Sequence, residues 1–379
     1  MTGILEVVFW GSVALLVYAQ VGYPLALAIA SRLLTPRRRP VVTGELPKVS
    51  LIVAAHNEAS VIAAKVANVR ALDYPSAHLE LIVCCDGATD ATAALARNAG
   101  ADAVLELARA GKVRAQDAGV ERASGEILAF SDANALWEPD AMRALAEAFA
   151  DPIVGYACGQ VRFIAADGDE ATNQEGLYWR YEMAVRKLES GLRSITGGNG
   201  AIYATRREAY LVVDPIMGHD LSFPFNMVKR GWRAVYVPAA RAVERMVPSI
   251  EGEFARKRRM MSHAWPIVLR GGMLSPRGYG VGYTVMLFSH RVLRYASPFL
   301  HLVAFVANAA LLGEGAIYVA TFAAQASLVV AAALGGRVQA RPLLVARYYV
   351  LTTASLAAGL WDWLRRGTPA GWDAAPGTR

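Results

Sequence analysis

The apolar residues of this chain are gathered at its two ends, and that distribution limits the fold before any motif is read. Ile4 to Leu34 form one long run whose only charges are Glu6 and Arg32. A helix of about 20 apolar residues crosses a hydrocarbon core about 30 Å thick. Tyr295 to Leu312, Ala316 to Leu334 and Leu343 to Trp361 approach the same length, and Val281 to Leu293 is a shorter apolar run before them. The start MTGILE lacks Lys and Arg, and its apolar run exceeds the roughly 7 to 15 residues of a signal-peptide core, so an uncleaved anchor is expected. The chain divides into an anchor (1–34), a globular region (47–245), a basic amphipathic segment (246–275), an apolar C-terminal region (281–364) and a tail (365–379).

Charge orients these parts. Arg32 and the Arg37-Arg38-Arg39 cluster belong on the cytoplasmic side, which leaves the N-terminus outside and the globular region in the cytoplasm of an integral inner-membrane protein. Arg291, Arg294, Arg337 and Arg341 suit cytoplasmic ends, and so do Arg365 and Arg366. Three C-terminal crossings would carry that last pair outside. The pattern therefore expects either a re-entrant stretch or a further span at Val281 to Leu293. The net charge of +7 is concentrated beside apolar segments, which points to membrane lipids as the partner and not to nucleic acid.

Between the apolar ends, strand and helix patterns alternate. Val49 to Ala54, Leu79 to Cys85, Ala103 to Leu107 and Glu126 to Ser131 read as strands, with helices on Val61 to Leu72, Thr89 to Ala99 and Ala141 to Ala150. Such alternation implies an α/β fold with a mainly parallel sheet, whose ligands bind beyond the carboxyl ends of the strands. Those ends carry Glu58, Asp86, Asp90 and Asp132. No G-x-G-x-x-G or Walker sequence follows a strand, so a dinucleotide or P-loop site is not supported. Cys84, Cys85 and Cys158 lie in apolar strands and read as buried small residues, without disulfide or zinc spacing.

Taken singly, each acidic residue has a plain structural reading: Asn57 and Glu58 as caps, Asp86-Gly87 as a turn, Asp90 as a helix start, Lys112 as a loop lysine beside Gly111. Taken together in order, the motifs are more specific. A-x-N-E at Ala55 to Glu58, D-G-x-T-D at Asp86 to Asp90, G-K at Gly111-Lys112, and A-x-G-E-I…D-A-x…P-D ending at Asp140 resemble the family 2 glycosyltransferases, nucleotide-sugar enzymes with the Rossmann-like GT-A fold. The likeness extends over nearly the whole chain. It implies that Glu58, Asp86, Lys112 and Asp132 bind the donor, expected to be a UDP-sugar. The family's D-x-D motif holds Mg²⁺ or Mn²⁺ on the donor diphosphate. Here it reads Asp132-Ala133-Asn134, and one carboxylate with phosphate oxygens and water can suffice for a hard cation.

Further along, Val154 to Ile164 and Ala201 to Thr205 read as strands, Glu175 to Leu188 and Leu221 to Arg230 as helices, and Ala234 to Val237 as a last strand. The loop Thr196-Gly197-Gly198-Asn199-Gly200 admits close backbone approach and resembles the family's acceptor segment, so Gly198 and Asn199 are acceptor candidates. By the same resemblance Asp220 is the catalytic base; His219 stands where the family has another acidic residue. Glu251 to Arg270 reads as an amphipathic interfacial helix, in which Arg256, Lys257 and Arg259 are candidates to meet a diphosphate or a lipid-linked acceptor. Arg259-Met260 retains only the arginine of the Q-x-x-R-W sequence of processive members. The reading is an inverting transferase acting on a saccharide or polyprenyl-linked acceptor. Two others stand beside it: a polyprenyl-phosphate monosaccharide transferase and a non-catalytic nucleotide-sugar scaffold.

Overall fold

In a computed structural model, residues 2–34, 45–164, 174–245 and 249–371 are described, with the side chains of 174–178 excepted. The Arg37-Arg38-Arg39 cluster, most of the linker before Leu46, the Leu177 side chain and the end of the tail lie outside them.

Strands β1 (Val49–Ala55), β2 (Leu79–Asp86), β3 (Ala103–Leu107) and β4 (Ile127–Asp132) pair in parallel in the order β3-β2-β1-β4. β1, β2 and β4 are continuous apolar runs because helices cover both faces. Alternate residues divide the core between those faces. Leu51, Val53 and Val83 meet α2 (Ile62–Arg70), α3 (Thr92–Asn98) and α5 (Ala141–Glu147) on one side. On the other, Ile52, Ile82 and Phe130 pack in the cluster that includes Ala115 of α4 (Lys112–Arg122), Met183 of α6 (Gln174–Leu192) and Phe223 of α7 (His219–Lys229).

Beyond β4 the sheet becomes mixed. β7 (Ile202–Arg206) runs antiparallel to β4 and to β6 (Val154–Ile164), β6 is parallel to β8 (Arg233–Arg245), and β5 (Leu136–Trp137) closes the edge against β8. Two sequence expectations need correction here. Lys112 opens a helix and does not sit in a loop. The last strand runs well past Val237, to Arg245, because a register shift between Cys158 and Gln160 carries the pairing past Pro238.

Among the described residues, four helices are long and apolar enough to cross a membrane: α1 (Thr2–Leu33), α9 (Val281–Ala310), α10 (Ala316–Leu334) and α11 (Arg341–Arg366). Val281 to Leu293 is thus not a separate span but the first part of α9. Phe9 of α1 packs with Ala304 and Ala307 of α9 and Tyr318 of α10 at the far end, while Tyr23 and Leu27 meet Met286 of α9 and Val185 of α6 at the domain end. α1 and α9 are therefore antiparallel, and α10 returns toward the domain.

α11 behaves differently from the other three. Near its start, Arg347 pairs with Glu251 in the first turn of α8 (Ile250–Leu269) and donates to Ala332 O of α10. Near its end, Arg258 of α8 pairs with Asp362, and Trp265 Nε1 donates to Leu356 O at 2.8 Å. The chain then turns back to the domain: Thr368 Oγ1 donates to Ser262 O, and a Cβ at Gly111 would stand 2.1 Å from Ala370 O. Both ends of α11 thus lie beside α8 and the globular domain.

Candidate functional site

The carboxyl ends of β1, β2 and β4 share one edge, and their register aligns Ala54 with Cys84 and with Asp132. The chain leaving β1 turns at Asn57 with φ of 52°, and Asn57 Oδ1 accepts from Thr89 N at 2.8 Å, so the first two acidic loops are tied together. Asn57 is therefore a loop tie and not the helix cap that its position suggests. Asp90 does begin its helix, accepting from Thr92 N at 3.0 Å, and it also receives Ala59 N at 3.1 Å. Glu58 N donates to Thr92 Oγ1 at 2.8 Å, and the Glu58 carbonyl receives the amides of Val61 and Ile62 at the start of α2.

Asp86 ends β2 almost fully buried. Its carboxylate accepts from Ala110 N at 2.6 Å and Gly111 N at 3.0 Å, with Arg109 Nη1 at 3.6 Å. These contacts shape the turn into α4. Gly111 adopts φ of 96°, open to glycine at little cost, and Lys112 follows as the first helical residue. From there the Lys112 ammonium pairs with Asp132 Oδ1 at the end of β4.

The glycine loop Thr196 to Gly200 comes to the same edge from the mixed half of the sheet. A Cβ at Gly200 would lie 3.7 Å from Lys112 Nζ, and one at Gly198 would overlap the Tyr156 hydroxyl at 1.9 Å, so this loop needs glycine for close approach. Gly198 N donates to Asp220 O at 2.6 Å, which joins the loop to the first turn of α7. His219 is buried against Tyr203 Oη at 2.8 Å. Burial, with Lys112 nearby, pushes its imidazole down to about 3, so it is neutral and does not replace an acidic residue in charge. Asn199 is buried beside Gly198, and its Oδ1 accepts from Ala201 N at 3.3 Å.

Basic residues of α8 are engaged within the protein. Arg256 and Lys257 both pair with buried Glu253, and Lys257 Nζ donates to Tyr348 Oη at 2.6 Å. The same helix brings His263 and Arg259 toward the site: His263 lies 3.1 Å from Ile216 O and feels the charges of Arg259 and Asp220. The helix read as interfacial also buries Met261 and Trp265 against Tyr295 and Trp363.

Two residues of the site carry no signal in the sequence. Lys65 of α2 is fully buried beneath Asp132, donating to Ser131 Oγ at 2.7 Å and Ala135 O at 2.6 Å, and burial brings its ammonium down to about 7. Glu244 of β8 follows the residue paired with Leu136. Burial and the Asp132 carboxylate raise its own carboxyl, while Lys112, Arg256 and Lys65 act against that. Among the described residues, no group of three His, Cys, Asp or Glu side chains is arranged to hold a metal. The set Asp132 and Asn134 fits a hard cation only when diphosphate oxygens complete the shell.

A Rossmann-like half-sheet with an acidic edge, extended by mixed strands that return a glycine loop to that edge, is the GT-A architecture of sugar transferases. The profile of glycosyltransferase-like family 2 matches residues 47–262, more than half the chain, and the chain belongs to that family. It is 31% identical over 217 residues to beta-monoglucosyldiacylglycerol synthase of Synechocystis sp. (51% of this chain, 42% of the relative), and 25% identical over 242 residues to N-acetylglucosaminyltransferase of Neorhizobium galegae (59% and 55%). The chain spans about half the length of these relatives. A mannosyltransferase of Pyrobaculum calidifontis, solved in complex with GDP-Man and Mn²⁺, superposes with a TM-score of 0.73 at 24% identity over 95% of this chain and 99% of the other, a likeness of fold.

Proposed function

We propose that the protein is a membrane-bound inverting glycosyltransferase that moves a sugar from a nucleotide sugar, read as a UDP-sugar, to a lipid-linked or saccharide acceptor. The single observation that carries this reading is the meeting of two elements at one sheet edge: the Lys112–Asp132 pair, and the glycine loop bonded to the first turn of α7 that bears Asp220. In this reading Glu58 and Asp86 hold the nucleoside. Lys112 lies along the diphosphate, and Asp132 with Asn134 would hold Mg²⁺ or Mn²⁺. When bound, that ion neutralises charge on the leaving diphosphate. Asp220 takes the proton of the acceptor hydroxyl. The acceptor oxygen bonds to the anomeric carbon, the bond from that carbon to the diphosphate breaks, and the nucleoside diphosphate leaves with the electron pair. Attack opposite the leaving group inverts the anomeric centre. Arg256, Lys257 and Arg259 line the side from which a lipid-linked acceptor enters, Arg256 and Lys257 exchanging or sharing their Glu253 contacts with it. The likeness to a glucosyldiacylglycerol synthase supports a lipid acceptor.

A screen of nucleotide sugars with the full chain in detergent and lipid, with and without Mn²⁺, tests this. Transfer or hydrolysis of a UDP-sugar is expected, and binding without turnover of any donor would favour the scaffold reading instead.

The membrane arrangement belongs to the same proposal. α1, α9 and α10 cross; α11 lies along the cytoplasmic face, showing Val345, Trp361 and Leu364 outward. Three crossings place Arg365 and Arg366 with Lys48 to Arg245 on the cytoplasmic side. In intact cells an impermeant maleimide is expected to label Gly313→Cys and to spare Arg366→Cys until the membrane is opened. Labelling of Arg366→Cys in intact cells would make α11 a fourth crossing.

A further inference from the structure

Behind the glycine loop lies a charge cluster that the transfer chemistry does not use. Glu182 and Glu189, one above the other on α6, are buried against His290, Arg291 and Arg294 of α9. Arg291 Nη2 donates to Glu182 Oε1 at 2.9 Å. His290 bridges the two carboxylates, its Nδ1 2.7 Å from Glu189 and its Nε2 3.2 Å from Glu182. His290 and Arg291 belong to a π turn, Phe288–Val292, in which Ser289, His290 and Arg291 are all buried. An inserted residue of this kind turns the helix face locally and recurs at functional positions.

The cluster bears directly on the loop. Glu189 Oε2 accepts from Thr196 N at 3.0 Å, the Thr196 hydroxyl lies 3.1 Å from Glu189 and 3.0 Å from His290 Nδ1, and Arg291 Nε donates to that hydroxyl at 3.2 Å. At the next residue, a Cβ on Gly197 would stand 2.6 Å from Arg291 Nη2. Gly198 then bonds to Asp220. Burial alone would raise the carboxyls of Glu182 and Glu189, yet neighbouring charge, that of Arg291 included, and hydrogen bonds hold both below the ordinary range. An arginine tip usually swings aside. Here Glu182 and Thr196 hold the guanidinium through Nη2 and Nε.

We propose that Arg291, with His290 and Glu189, is a positioning group: the π turn of α9 clamps Thr196 and Gly197, and thereby sets the acceptor-side loop against Asp220. The helix that anchors the protein in the membrane then governs acceptor alignment, while donor binding is left to the far half of the sheet. The kinetic part of this proposal rests on the transferase reading; the clamp itself does not.

Gly197→Ala and Thr196→Val test it in the full-length protein. Gly197→Ala forces a methyl onto the held guanidinium, and Thr196→Val keeps the shape but removes the hydroxyl. The first readout needs no turnover. Backbone hydrogen exchange at residues 195–200 is expected to quicken at least about tenfold in both variants, with β1 and β2 unchanged. Unaltered exchange in that segment overturns the clamp. The second readout uses UDP-glucose with diacylglycerol in mixed micelles. The ratio of transfer to donor hydrolysis should fall roughly tenfold to a hundredfold while UDP affinity holds. Equal loss of transfer and hydrolysis overturns the positioning role. If the wild-type protein neither transfers nor hydrolyses any nucleotide sugar while both variants show the quickened exchange, the transferase reading is overturned and the clamp is upheld.

Discussion

Replacing Asp220 with asparagine is expected to lower sugar transfer by about 10² to 10⁴, the usual worth of a positioned general base, with nucleotide affinity nearly unchanged. The substitution keeps the size of the side chain and the backbone bond from Gly198 to the carbonyl of residue 220, so the loop stays in place. What it removes is the ability to accept a proton. A purely structural role predicts a different result. Asp220 sits in the first turn of α7, where a carboxylate favours the helix N-terminus by about 0.3–1 kcal/mol at an exposed site, too little to unfold the domain. A helix-stabilising Asp220 therefore gives a folded, active Asn variant. Calorimetry with UDP beside transfer in the same preparation separates the cases: near-normal transfer removes Asp220 from the chemistry, and lost affinity moves it to the donor side.

The second large effect concerns Asp132. Asp132→Ala deletes the carboxylate that pairs with Lys112 and that would hold the cation on the diphosphate. Charge neutralisation by a bound metal is worth several kcal/mol, so turnover should fall by roughly 10² to 10⁴, and stimulation by Mn²⁺ should vanish with it. The pair is partly exposed, at 19% for Lys112 and 18% for Asp132, so its loss should leave the domain folded. Asn134→Asp should act in the opposite sense, adding a hard ligand and tightening Mn²⁺ in the presence of UDP. Titrating Mn²⁺ into both variants measures this. Wild-type turnover in Asp132→Ala would show that the end of β4 is not where the donor diphosphate sits.

Much of the parallel half-sheet was legible because its strands are buried on both faces and so read as unbroken apolar runs. The order of the acidic turns along those strands also made legible that Asp86, Lys112 and Asp132 gather at one sheet edge. α4 was not. It is polar and has Gly119 inside it, which argues against a helix by about 1 kcal/mol. The glycine is there because a Cβ would strike Ile52 and the Cys84 sulfur, a packing reason that no local pattern expresses. β8 was read short for a similar cause: Pro238 looks like a stop until its partner strand shifts register. Lys65 has the setting of an ordinary helix lysine, and only the sheet brings it under Asp132. His290 and Glu189 are about a hundred residues apart and meet only when α9 docks on α6.

The three cysteines, described above only as strand residues, make the protein convenient for chemistry at engineered positions. All are free and buried, and burial raises the thiols of Cys84 to about 12 and of Cys85 and Cys158 to about 11. At neutral pH the reactive thiolate is therefore about one part in ten thousand or less at each, and access through the packed sheet reduces it further. A single cysteine placed on α11 or at exposed Arg114 of α4 can carry a spectroscopic label in an otherwise native chain. Distances across the cleft can then be followed as donor and acceptor bind, with every native strand residue left as it is.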